Sequence, residues 1–215
     1  ISPLFSNVVL NELDWWIASQ WEDIPTDYNY DKVRKDNNKI DKGDKYRALR
    51  RTNLKECFIV RYADDFKIFC RNYKDAQRIF KATKSWLKER LNLEISPEKS
   101  KVINLKKQYS EFLGFKLKLH ENGKNNKGKA KYTVKSHISS KAEKTIRKKT
   151  REYIKKIQKP INSEKGYEAV LNYNAYVIGI HFYYRYATHV SKDFYDIAFS
   201  VKKSLKARFK NSLKK

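Results

Sequence analysis

Two adjacent aspartates, Asp64 and Asp65, lie between the apolar runs Phe58-Ile59-Val60 and Phe66-Lys67-Ile68-Phe69-Cys70. The runs read as two β-strands joined by the tight turn Tyr62-Ala63-Asp64-Asp65, with both carboxylates at a hairpin tip. Like charges held side by side repel, and enclosure strips their hydration, so a fixed pair of this kind asks for a cation. A hard divalent ion such as Mg²⁺ meets that demand. It takes one or two protein carboxylates and fills its shell with water and substrate phosphate, as nucleotidyl transfer requires. An acidic pair is also an ordinary polar turn, since Asp is favoured there. The apolar strands on either side and the charge of the chain favour the chemical reading.

That charge is large. Lys and Arg number 49 against 24 Asp and Glu, a formal net charge of +25 over 215 residues, and the positive residues are spread over several segments. A polyanion is the expected partner, and with 14% aromatic residues nucleic acid is favoured over a membrane surface. Cys57 and Cys70 are the only cysteines, with no CxxC or Cys/His cluster, so neither a disulfide framework nor a zinc site is expected and a reducing cytoplasmic setting fits. No apolar run approaches the roughly 20 residues of a membrane span. The chain opens at Ile1 and holds no methionine, which fits a fragment or a processed piece.

The elements that must position the turn follow from the pattern. Ser2-Pro3 forms a helix start, and Phe5, Val9, Leu13 and Trp16 give an amphipathic helix ending near Gln20. Residues 22–55, dense in Asp, Asn, Lys and Arg, read as a long surface loop. Asn72 caps a helix whose stripe is Ala76, Phe80, Thr83, Leu87 and Leu91, leaving Lys84 and Lys88 for solvent. Residues 93–95, 102–105 and 112–119 read as strands, and Tyr132-Thr133-Val134 closes a second hairpin after a Gly/Asn/Lys-rich loop. Gly114, inside a strand pattern, allows either a β-bulge or close approach of a nucleic-acid backbone.

After Ser136 the character becomes helical. Ser140-Lys141-Ala142-Glu143 is a capping-box pattern, followed by a stripe of Ile146, Tyr153 and Ile157. Further helices are expected from Glu164 to about Ala187 and from Lys192 to about Leu213. Tyr173, Tyr176, Tyr183, Tyr184 and Tyr186 read mostly as helix-helix core, and His181 and His189 as polar core or capping residues. The fold class expected is α+β: a β-containing domain over 1–135 and an all-α three-helix domain over 136–215.

The stretch Phe58-Ile-Val-Arg-Tyr-Ala-Asp-Asp-Phe-Lys-Ile-Phe-Cys70 resembles the catalytic hairpin of reverse transcriptases, most of all those of group II introns, the reverse transcriptase/maturases. Ile1-Ser-Pro-Leu-Phe-Ser-Asn7 resembles the end of the motif preceding a helix that lines the nucleotide pocket. Ser96-Pro-Glu-Lys-Ser-Lys-Val102 resembles the motif after the palm helix, and Phe112-Leu-Gly-Phe115 the primer grip. The region from Lys135, with Gly179-Ile-His-Phe-Tyr-Tyr-Arg185, is similar to the helical thumb, or maturase domain X.

The resemblance implies a partial polymerase palm followed by a thumb. It makes Asp64 and Asp65 catalytic ligands of a two-metal Mg²⁺ site and Lys99 a proton donor to leaving pyrophosphate. Lys101 becomes a phosphate contact, and Asn7, Tyr62, Ala63, Leu113 and Gly114 nucleotide or primer contacts. The family's third metal-binding carboxylate lies on an upstream strand that this sequence does not contain, so an N-terminal half carrying fingers and first palm strand is an expected partner. The other partners implied are an RNA template, a DNA primer and the intron RNA of a mobile element. Two alternatives stand beside this: a non-catalytic maturase that folds intron RNA for splicing, and a retron or phage-defence reverse transcriptase.

Overall fold

Asn72 sits in extended backbone and its side chain accepts a hydrogen bond from the Asp75 N–H, satisfying one of the orphan donors that open a helix. Ser139 and Asn162 cap two further helices in the same way in the computed structural model, which describes residues 2–209, with side chains from Leu4 to Ala207. The elements are α1 (Ser2–Gln20), β1 (Lys32–Val33), β2 (Ile40–Asp41), α2 (Gly43–Leu49), β3 (Cys57–Tyr62), β4 (Asp65–Cys70) and α3 (Tyr73–Leu91), then β5 (Ser110–Phe112), β6 (Phe115–Lys124), β7 (Ala130–Ile138), α4 (Ser140–Gln158), α5 (Ser163–Tyr184) and α6 (Val190–Phe209). They divide into two compact units, residues 1–102 and 103–215. The division falls earlier than the functional boundary expected near Lys135, because the sheet of β5, β6 and β7 shares a core with the helices after it.

In the first unit β3 and β4 pair antiparallel, Cys57 opposite Cys70 and Tyr62 opposite Asp65. Period-2 alternation gives the hairpin two faces. Cys57, Ile59, Arg61, Phe66, Ile68 and Cys70 share one face, and its apolar members join the core with α1 and α3. The face of α1 turned to that core is Leu10, Leu13, Ile17 and the following Trp21, not the expected Phe5 and Val9, which are exposed. Trp16 stacks on Trp86 of α3 at 5.2 Å. On α3 the buried residues are Ile79, Thr83 and Leu87, and the helix closes on Asn92 in the left-handed region, φ 51°. The expected start of α1 at Ser2-Pro3 rests on side chains outside the described ones.

The stretch 22–55, expected as a long surface loop, lies mostly at the surface but carries short regular elements. β1 and β2 form a small hairpin tied by Arg34–Asp41, Lys32 and Arg47 pair with Asp44 of α2, and Lys42 pairs with Asp23. Leu49 is buried, and Tyr46 stacks on Trp21 and meets Phe58 edge-on. Polar pairs rather than an apolar stripe organise this segment, so it carries no hydrophobic period to detect. Residues 93–95 and 102–105, expected as strands, are irregular.

In the second unit the sheet order is β5-β6-β7, antiparallel throughout. The single strand expected over 112–119 is two strands joined at Leu113-Gly114. Both residues have positive φ, 50° and 78°, as the two central positions of a type I′ turn require, so Gly114 is a turn residue and not a bulge. The turn is held from three directions: the Tyr183 hydroxyl donates to Leu113 O at 3.0 Å, Ser139 N–H donates to Gly114 O at 2.7 Å, and a Cβ on Gly114 would lie 2.8 Å from the Tyr184 hydroxyl.

The free edge of β7 is covered by the α5–α6 connection. Ser136 N–H donates to Thr188 Oγ1, Thr188 N–H to Ser136 Oγ, His189 N–H to Ser136 O, and Ile138 N–H to the Asp193 carboxylate. The C-terminal end of that edge, at Ser136–Ile138, is thereby closed to intermolecular pairing. The cap of α4 is Ser139, one residue before the expected Ser140, and its buried stripe is Ile146, Thr150 and Ile154. Of the tyrosines expected in the core, Tyr184 is buried, Tyr173 packs at its border, and Tyr183 and Tyr186 are exposed. His181 stacks on Phe194 at 4.0 Å. The expected end of the last helix near Leu213 lies outside the described residues.

Two outcomes follow from these contacts. Gly114→Ala lowers stability by more than the ~1 kcal/mol of a left-handed alanine alone, because its methyl meets the Tyr184 hydroxyl. Part of that loss is recovered when Tyr184→Phe removes the oxygen, as a double-mutant cycle of denaturant midpoints will measure. In the first unit, Arg50 donates two hydrogen bonds to Glu56, at 2.9 and 2.6 Å, and holds that carboxyl below its usual range. The resulting stability is fully present above the ordinary Glu value of 4.5 and fades as pH falls below it. Glu56→Gln therefore destabilises at pH 7, and thermal melts against pH show the difference from wild type shrinking below about pH 4.5.

Candidate active site

The β3–β4 connection has two residues, Ala63 and Asp64, flanked by the Tyr62–Asp65 pair. Ala63 takes a positive φ of 53°, the requirement at the first central position of a type II′ turn, although it is not glycine. A left-handed alanine needs outside support, and Arg61 supplies it. The guanidinium donates from Nη1 to Ala63 O at 2.8 Å and to Asn7 Oδ1 at 2.9 Å. It also grips Asp14, from Nε at 2.9 Å and from Nη2 at 2.6 Å. Its side chain is only 10% exposed, and that of Asp14 32%. Bidentate, charge-assisted bonds of this kind fix orientation as well as distance. The hairpin tip is thus fastened to α1 through Asn7 and Asp14, two helical turns apart on the face that also carries Leu10 and Ile17.

Asp64 and Asp65 are both exposed at this fastened tip. By register, Asp65 shares the outer face of the hairpin with Tyr62, Val60 and Lys67, and Tyr62 and Val60 are 66% and 49% exposed. Burial lowers the pKa of the Lys67 ammonium from its ordinary value; the Asp65 carboxylate opposes that shift and Lys101 adds to it. Lys101 is therefore felt at the same face as the acidic turn. Lys99 is exposed within the turn at residues 97–99.

The expected site residues of the first unit therefore divide. Asn7, Tyr62, Ala63, Asp64 and Asp65 are brought together around the hairpin tip, with Lys101 within electrostatic reach of Lys67. Asn7 is engaged by Arg61 rather than left free for a ligand. Leu113 and Gly114 form the type I′ turn of the second unit, where Tyr183 and Tyr184 hold them. Arg61, Asp14 and Lys67 escaped the sequence reading. Their one signal was an acid at position 14 inside the apolar stripe of α1, with an arginine at the end of an otherwise apolar strand.

Hard, exposed carboxylate oxygens at a rigid tip suit one side of a divalent ion. Among the described residues no group of three or more His, Cys, Asp or Glu side chains is placed to hold a metal, so the tip offers part of a ligand set. No helix among the described residues is long and apolar enough to cross a membrane.

The family model described as reverse transcriptase (RNA-dependent DNA polymerase) matches residues 1–117, more than half of the 215-residue chain. The chain belongs to the reverse transcriptase family. Comparison with curated proteins finds no match. The matched span contains α1, the acidic turn, the Ser96–Val102 segment and the Leu113-Gly114 turn, and ends inside β6. The acidic hairpin of this reverse transcriptase domain is the element that Arg61 locks in place.

The Arg61 anchor has a measurable consequence. Arg61→Ala removes one partner of a mostly buried charged pair and costs about 2–4 kcal/mol of unfolding free energy. Asp14→Ala costs less on its own, and in a double-mutant cycle from urea denaturation the two losses couple by about 1 kcal/mol or more.

Proposed function

We propose that the chain supplies the acidic half of the active site of an RNA-directed DNA polymerase of the group II intron type. The observation that carries this reading is the exposed Asp64–Asp65 pair on a two-residue turn locked to a helix by Arg61. Asp64 and Asp65 would hold Mg²⁺, whose contribution when bound is to neutralise phosphate charge and to activate the primer hydroxyl. Two carboxylates do not complete a two-metal site, and on the family resemblance a third would come from an upstream palm strand.

The chain's own side chains then have separate tasks. Asp64, at the tip, faces the reacting phosphate, and Asp65 supports the same site from the outer face. Lys101 and Lys67 offset phosphate charge beside them, and Lys99 donates a proton to the leaving pyrophosphate. Tyr62 and Ala63 line the approach of the nucleotide, and Asn7 holds the tip through Arg61. In the second unit the Leu113-Gly114 turn serves as primer grip, and the basic helices hold the template–primer duplex by its phosphates, largely without reading sequence.

A second reading has its own support. The incomplete ligand set together with the net charge of +25 also suits a maturase that binds intron RNA without catalysing synthesis. Primer extension on an RNA template separates the two when the chain is supplied with a reverse transcriptase N-terminal half bearing the remaining carboxylate. DNA synthesis that needs both parts and falls by about 100-fold or more in Asp64→Ala supports the polymerase. Synthesis indifferent to Asp64→Ala removes the assigned site. Intron splicing that survives the same substitution supports the maturase role.

A further inference from the structure

The sheet of the second unit has a basic face that the acidic site does not use. The register Lys116↔His137, Lys118↔Lys135 and His120↔Thr133 puts three lysines and two histidines on one side of β6 and β7. His189 joins them from the α5–α6 connection, its ring 4.7 Å from that of His137. Lys116, Lys118, His120, Lys135, His137 and His189 are all half-buried. The Tyr109 ring lies under the ammonium groups of Lys116 and Lys118, at 5.7 and 5.4 Å, and meets His137 edge-on.

Little negative charge answers this face. β5 contributes Glu111, opposite Lys116, and α6 contributes Lys192 and Asp193. Asp193 is already engaged by His137 Nδ1 and the Ile138 N–H, both at 2.8 Å. Among the described residues, none of Lys116, Lys118, Lys135 and Lys192 forms an ion pair. His120 Nε2 is buried without a hydrogen-bond partner. Half-buried cations beside an imidazole nitrogen without a partner favour an acceptor with several oxygens.

We propose that this face binds backbone phosphates of a nucleic-acid duplex and takes up protons on His120 and His189 as it does so. The proposal rests on the nucleic-acid reading of the chain for the owner of the phosphate. Burial, together with the neighbouring Lys135, Lys118, Lys192 and His137, holds both imidazoles below their ordinary pKa of 6.5, and only Asp193 acts against this, on His189. They are therefore mostly neutral in the free protein at pH 7. A phosphate placed among them reverses the sign of the local field and favours the imidazolium. Binding then carries proton uptake, and affinity rises as pH falls.

The test uses the full chain and a labelled RNA–DNA heteroduplex, with affinity read by fluorescence anisotropy at constant ionic strength. From pH 7.5 to pH 6, wild-type affinity rises by about five-fold or more, the share that partial uptake of two protons gives. In His120→Gln/His189→Gln, with the affinity at each pH referred to that variant's own value at pH 7.5, most of that rise is lost. In unsubstituted protein, NMR titration of the two imidazoles shows both pKa values raised when duplex is bound. A pH dependence unchanged in the double variant, or imidazole pKa values unmoved by duplex, overturns this inference and leaves the nucleic-acid reading standing. Absence of duplex binding at every pH overturns both.

Discussion

Arg61 occupies a position on β3 where the alternation of the hairpin would place another apolar core residue, and its guanidinium is spent entirely on structure. It closes over the Ala63 carbonyl, which stabilises a turn shape that alanine disfavours, and it reaches α1 at Asn7 and Asp14. A guanidinium with five donors in a planar fork can serve a carboxylate, an amide and a carbonyl together, and lysine cannot. The position of the two acidic side chains is therefore set by a bond network on the opposite face of the same hairpin. On the outer face Val60, Tyr62 and Asp65 remain exposed to solvent.

The second unit solves a similar problem without an ion pair at its turn. Leu113-Gly114 also needs positive φ, and there the need is met by glycine at the second position and by tyrosines against the turn. Tyr184 is buried in the helical core while its hydroxyl lies over Gly114, so the turn and the helices share one packing constraint. The hydrogen bonds that link Ser136 and Ile138 with Thr188, His189 and Asp193 add a second constraint along the edge of β7. Sheet and helices thus cohere as a unit, and the compact division falls at 102/103.

What the sequence disclosed depends on how local the responsible interaction is. The acidic hairpin, the Asn72 cap and the helices after residue 139 rest on neighbours within a few residues, and their patterns are visible in the chain. The face of α1 was misjudged because that helix is apolar on several sides: Leu4, Phe5, Val8 and Trp15 are exposed while Leu10, Leu13 and Ile17 are buried, and periodicity cannot choose between them. The structure of residues 22–55 comes from charge pairs, which leave no hydrophobic period. Arg61 with Asp14, 47 residues apart, belongs to the same class, since only the fold brings such a pair together.

The exposure of Asp64 and Asp65 refines the electrostatic argument from which their chemistry was inferred. Two unit charges about 4 Å apart repel by only ~1 kcal/mol in water, against ~4 kcal/mol at the effective dielectric near a protein surface. An open tip lies nearer the first limit, so the free hairpin holds both carboxylates at little cost. The demand for a cation would grow with any bound group that displaces water and lowers the local dielectric around the pair. Rigidity of the backbone is what the protein supplies in advance, because Arg61 fixes the turn that carries the two carboxylates. An exposed acidic pair on a locked tip can thus meet a cation without rearrangement of the turn.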